Sequence, residues 1–273
     1  MRIGYAWLIV PACLLLGVFF VWPVFWLLLK SVTSPSLGIA NFVVLVERPV
    51  YLRVLWNTIV ISGSTAILCA LIGYPLAYTM ANTGPRARRL LIFIILIPFW
   101  TSLLVRSFAW MVLLQKQGLV NQSLVSFGII AEPVALIFNR FGVLTGMVQV
   151  LLPFMVFPLY SVMTRIDKSL PSAAATLGAP PVRNFLRVYL PLTLPGLVTG
   201  TMLVFISALG YYVTPALLGG PGDTMIAQLI QQQIGNMGNW GLAGALAVVL
   251  LVGTCICLAV VQRFVSVRSV MGR

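Results

Sequence analysis

Six long apolar runs, separated by short polar stretches, set the pattern of this chain. They cover Trp7–Leu29, Val54–Met80, Leu90–Leu114, Val143–Met163, Leu192–Leu218 and Trp240–Val261. Each is about 20 residues or longer, the length a helix needs to cross a hydrocarbon core. Runs of this length, rich in Leu, predict helices rather than the short alternating strands of a barrel. The expected fold is therefore an all-α integral membrane protein with six transmembrane helices in one domain. The first run is too long for a signal-peptide core, and no small-x-small cleavage site follows it, so it is read as a retained helix.

Composition agrees with that pattern. Of 273 residues, 60% are hydrophobic and 8% charged, against roughly 25% charged in a soluble domain. The net charge of +13 would suggest nucleic acid in a soluble protein. Here the basic residues flank the apolar runs, so they set topology and imply no nucleic-acid partner. With the N-terminus inside, the inner segments hold Arg2, Arg86, Arg88, Arg89, Arg165, Lys168, Arg183, Arg187, Arg263, Arg268 and Arg273. The outer segments hold only Lys30, Arg48, Arg53, Lys116 and Arg140. The excess of inner Lys and Arg predicts that both termini are cytoplasmic. Glu47, Glu132 and Asp223 then fall outside, and Asp167 inside.

Several function classes lose support. The chain has no His, and its four acids lie outside the apolar runs. No acid–base or nucleophile constellation of an enzyme is visible, nor the intramembrane acids of a proton relay. Cys13, Cys69, Cys255 and Cys257 all lie within apolar runs and read as packing residues rather than disulfide or metal partners. No phosphate-cradling Gly-x-x-x-x-Gly-Lys-Ser/Thr stretch is present. A self-contained secondary transporter or a channel stays open on these grounds.

Between the fourth and fifth runs lies a more polar segment, residues 164–191. Pro171 is suited to the first turn of a helix. Ser172, Ala173, Ala174, Ala175, Thr176 and Leu177 continue it, and Gly178, Ala179, Pro180 and Pro181 stop it. The small Ala side chains permit close approach by another surface. Arg183 and Arg187 follow one turn apart.

The spacing from Ser172-Ala173-Ala174 through Gly178 to Val188-Tyr189-Leu190-Pro191 resembles the cytoplasmic loop of ABC importer permeases. In that family the loop reads Glu-Ala-Ala, three residues, Gly, nine residues and Ile-x-Leu-Pro. Ser172 stands where the family has Glu. The run Pro98-Phe99-Trp100-Thr101-Ser102-Leu103-Leu104-Val105-Arg106 is similar to the spermidine/putrescine branch, as are Thr214–Pro221 and Met225-Ile226. The resemblance implies the type I permease fold in the inner membrane of a bacterium. It implies a non-catalytic chain with no cofactor of its own, ATP and Mg being bound by two partner ATP-binding subunits. These would dock on Ser172, Ala173, Ala174, Ala175, Leu177, Gly178, Ala179, Pro180 and Arg183. A second permease, identical or homologous, and a periplasmic solute-binding protein are implied as further partners. The solute-binding protein would meet the outer loops Ser31–Arg53 and Gly219–Asn239.

The same resemblance marks a translocation path. Phe99, Trp100 and Arg106 lie in the third run, Tyr211 and Tyr212 in the fifth. Counted along a straight helix from Leu90, Arg106 sits about 24 Å up, facing a cavity or snorkelling to the outer headgroups. Aromatic faces there suit an ammonium group or a membrane-edge belt. Polyamine permeases often carry an acid near Tyr211 and Tyr212, and this chain has none. Small residues at Gly142/Gly146, Gly196/Gly200 and Gly238/Gly241/Gly244 predict close helix approach, and Pro153, Pro158 and Pro195 mark sites for kinks.

Overall fold

The computed structural model describes residues 10–167 and 169–271, with side chains described to Val260 apart from Pro171. Trp7, Arg2, Lys168 and Arg273 lie outside the described residues, as do the side chains of Val261, Arg263 and Arg268. Every regular element among the described residues is helical.

Helix α1 (Val10–Thr33) holds one π turn at Gly17–Val21. Helix α2 (Ala40–Glu47) is short, and α3 (Pro49–Asn82) is the longest element. Then come α4 (Pro85–Trp100), α5 (Leu103–Leu114) and α6 (Leu119–Ser126). Helix α7 (Arg140–Met163) starts at Asn139, whose Oδ1 accepts the Gly142 N–H at 3.0 Å, a side-chain N-cap. The segment after it holds α8 (Ser169–Thr176). Helix α9 (Pro181–Leu209) is followed by α10 (Val213–Leu218), α11 (Ile226–Gly235) and α12 (Trp240–Met271). Among the described residues five helices are long and apolar enough to cross a membrane, or six with the bent pair α4 and α5–α6 counted as one span.

Helices α3, α7 and α9 pack mutually as the central bundle. Ile61, Cys69 and Met80 of α3, Met147, Leu151, Met155 and Leu159 of α7, and Val204 and Ala208 of α9 form its core. Lipid removes the solvent-driven attraction between apolar helices, so close van der Waals approach must hold them. Small residues permit it. A Cβ on Gly196 would lie 3.1 Å from the Leu159 Cα, and one on Gly200 would lie 3.0 Å from the Met155 carbonyl oxygen. Helix α12 packs on α1 in the same way at Gly244, and Gly241 lies against Ser34 just past α1 and Asn41 of α2; Trp26 and Trp240 meet edge-on at 5.6 Å nearby. Gly238 differs from that expectation. Its φ is +63° with open space around it, so it supplies a turn and no helix contact.

Two expected spans are corrected. The run Leu90–Leu114 is two helices meeting at 100°. Thr101 and Ser102 adopt extended backbone between them, just after Pro98, which removes a backbone donor in the last turn of α4. The run Leu192–Leu218 starts earlier, at Pro181, and its long helix stops at Leu209. Gly210 and Tyr212 lie outside helical geometry there, and α10 restarts beyond them. By contrast α7 runs unbroken through Pro153 and Pro158, and α9 through Pro195.

Candidate functional site

The polar segment after α7 is built from local rules. Asp167 Oδ1 accepts the backbone N–H of Ser169 at 2.9 Å at the start of α8, where a negative charge complements the helix dipole. That hydrogen bond holds the exposed Asp167 carboxyl below the ordinary carboxylate range. At the other end Gly178 takes φ +80°, which only glycine adopts without strain. Its N–H donates to the Ala175 carbonyl at 3.0 Å, and the Ala179 N–H donates to the Ala174 carbonyl at 3.1 Å. This pair of bonds is the Schellman stop. Ala173, Ala175 and Ser172 are exposed, Ala174 and Ala179 half-buried. Leu177 is 88% exposed and Val182 70%. Pro180 is extended and exposed, and Arg183 and Arg187 are exposed beyond it.

A π turn at Phe185–Tyr189 links this segment to the long part of α9, a bulge of the kind often found at functional sites. It aims two rings at α3. Phe185 meets Tyr74 edge-on at 5.8 Å, and Tyr189 meets Tyr78 edge-on at 5.3 Å. The Tyr74 hydroxyl also bonds the Thr193 hydroxyl at 2.9 Å. The segment that follows α8 is thereby joined to α3 as well as to α9. Sequence reasoning missed this aromatic link. Its signal was present, since Tyr74/Tyr78 and Phe185/Tyr189 both have the i, i+4 spacing of one helix face.

The expected path residues divide between two backbone breaks. Arg106 does not stand on a straight helix. It lies one turn past the bend, and its guanidinium donates to the Thr101 carbonyl at 3.1 Å, at the break itself. Its Nε is buried without a partner. Tyr211 sits in the second break, and α10 just beyond it packs on α5, the helix that carries Arg106. Phe99 packs on Phe154 with ring centres 5.8 Å apart, while Trp100 is 86% exposed and Tyr212 is also exposed. Trp110 donates to Gln149 Oε1 of α7 at 2.6 Å.

At the opposite end of the bundle from α8, Arg140 joins distant segments. It pairs with Asp223 Oδ1 at 3.3 Å and donates to Asn57 Oδ1 at 3.2 Å. Asn57 in turn donates to the Gly222 carbonyl, and the Thr58 hydroxyl accepts the Ile226 N–H at 2.8 Å. The loop from Gly219 to Met225 is thereby clasped to α3 and α7. Sequence reading took Arg140 and Asp223 only as topology charges. Among the described residues no group of His, Cys, Asp or Glu is arranged to hold a metal ion.

Residues 73–269 match the family described as the binding-protein-dependent transport system inner membrane component. The chain belongs to that family. It is the permease subunit of an ABC importer, and the family is the membrane component rather than the ATPase. The spermidine/putrescine permease PotB of Haemophilus influenzae is 38% identical over 205 residues, 75% of this chain and 72% of that one. PotB of Escherichia coli strain K12 is 35% identical over 204 residues, 75% and 74% of the two chains. A solved bacterial ABC transporter that imports alginate superposes with a TM-score of 0.68 at 21% identity, covering 95% of this chain and 94% of that one. A second alginate transporter structure, in complex with a pentasaccharide-bound periplasmic protein, superposes at 0.75 with 20% identity and the same coverage. Both structural likenesses establish the shared fold.

Proposed function

We propose that this permease docks an ATP-binding subunit on Ser172–Pro180 and Arg183, and that ATP hydrolysis there drives alternating access. The observation that carries this reading is α8 itself: a short helix ended by a Schellman stop, with Leu177 almost fully exposed and a rigid aromatic link to α3. An exposed Leu at the polar end of a membrane bundle favours a covering partner. Ser172 lacks the charge of the family's Glu, so the contact relies on shape and on Leu177. Closure of two ATP-binding subunits would pull α8, and through Phe185 and Tyr189 would tilt α3 and α9. ATP and Mg belong to those partners. A second permease completes the solute path, and a periplasmic solute-binding protein delivers cargo to the end clasped by Arg140. The α8 end of the bundle faces the cytoplasm of a bacterium, as the charge bias supports.

The likeness to PotB favours a polyamine or a related small amine as cargo. Phe99, Trp100, Tyr211 and Tyr212 offer aromatic faces to an ammonium group. For such a cargo, the acid that this chain lacks near Tyr211 and Tyr212 would come from the second permease; otherwise the substrate differs. Arg106→Ala should lower uptake about tenfold, a change of ~1.4 kcal/mol, with normal membrane levels. Unchanged uptake would remove Arg106 from the path.

The assembly is tested by purifying the tagged chain in mild detergent from its native membrane and identifying co-purifying chains by mass spectrometry. An ATPase subunit and a second permease chain, or two copies of this one, are expected. Recovery of the chain alone after crosslinking would overturn the proposed assembly.

A further inference from the structure

A cleft of about 380 Å³ opens at the α8 end of the bundle, lined by Tyr78, Asn82, Arg88, Thr164, Ile166 and Tyr189. It lies where the ends of α3 and α7 meet the start of α4 and the π turn. Its volume falls in the range of small-ligand sites. Of the Arg88 guanidinium, one donor bonds the Thr83 carbonyl at 3.3 Å, while Nε is buried with no partner. A guanidinium is a five-donor fork suited to phosphate. Among the described residues no carboxylate lines the cleft, although the exposed Asp167 adjoins Ile166. Arg86, Arg89 and Arg165 are exposed within a few residues of its lining.

Leu90, Phe93, Ile94 and Ile97 are exposed along α4, at the three- and four-residue spacings of one helix face. That face lies on the opposite side of α4 from Arg88, whose own face continues into the core at Ile92 and Ile95. A basic cleft between helix ends at the membrane surface is itself the arrangement of a lipid-headgroup pocket.

We propose that this cleft binds the phosphate of an anionic phospholipid, from the leaflet on the α8 side, with Arg88 as the main ligand and Tyr189 as a hydroxyl donor. A bound headgroup would touch α3, α4, α7 and the π turn together. On the coupling role proposed for α8, those elements would carry its motion, and the lipid would tune it. The site rests on the cleft and not on the identity of the cargo.

The test uses the full complex, stripped of loose lipid and re-supplied with equimolar phosphatidylglycerol and phosphatidylcholine. Retained lipid is counted by native mass spectrometry. Wild type is expected to retain phosphatidylglycerol about tenfold over phosphatidylcholine. Arg88→Gln should abolish the preference, and Arg86→Gln should keep it. Tyr189→Phe retains the ring contacts and should reduce the preference about fivefold, the loss of one hydrogen bond. Equal preference in wild type and Arg88→Gln would overturn the proposal. So would absence of any preference in wild type, as expected if a second permease covers this face. In a parallel arm, excess inorganic phosphate is added without lipid. If it raises the melting temperature of wild type but not of Arg88→Gln, and no lipid preference is seen, the phosphate site stands with a soluble source and the lipid assignment falls.

Discussion

Gly178→Asp should abolish uptake while leaving the chain in the membrane at its normal level. Gly178 holds φ +80°, and a side chain there costs about 1 kcal/mol of backbone strain. That cost is local. A Cβ at Gly178 would meet nothing within 4 Å, so the helical bundle is not disturbed. The charge is what matters. It would stand beside Leu177, on the surface proposed to enter a groove on the ATP-binding subunit, and an unpaired charge buried in an interface is costly. Gly178→Ala carries the strain without the charge and should retain part of the uptake. Solute uptake measured together with membrane abundance separates these effects. Normal uptake by Gly178→Asp would remove α8 from the coupling role.

Gly244→Leu should unfold the contact between α1 and α12. Any Cβ at Gly244 would lie 2.5 Å from the Leu27 carbonyl oxygen and 2.9 Å from the Ser31 nitrogen. These are backbone atoms of a facing helix, so no side chain can swing away. Overpacking against movable side chains costs about 1–3 kcal/mol, and a clash with backbone exceeds that. The helices must separate, which also breaks the contact of Trp26 with Trp240. Gly253→Leu, on the same helix with open space around it, is the control and should be tolerated. Thermal unfolding in detergent should show a large loss of stability for Gly244→Leu alone. Equal behaviour of the two variants would mean that α1 and α12 do not pack this closely.

Both variants use residues visible in the bare sequence, and they show how far local reading reaches. The stop at Gly178 follows from a Gly-Ala-Pro-Pro run after a helix-forming stretch. The close approach at Gly241 and Gly244 follows from small residues three apart. Gly238 continues the same spacing yet serves a turn, because it lies before α12 begins. Spacing identifies small residues but not the partner each one faces. Arg106 makes the same point. Its height was counted along one axis, and the axis bends by 100° five residues before it.

The sequence by itself determined that this chain crosses a membrane as helices, because lipid offers no partner to a free backbone N–H or C=O. It determined where the polar segment between spans four and five starts and stops, since caps and breakers act within one or two turns. Only the tertiary structure decided which distant groups meet. Arg140 and Asp223 are 83 residues apart, and Asn57 and Gly222 are 165 apart. No periodicity encodes such a pair, because each residue satisfies its own helix or loop equally well with or without the other. The same holds for the rings that join the π turn to α3, and for the Arg88 cleft. These sites arise where helix ends converge, and packing of whole helices chooses that convergence.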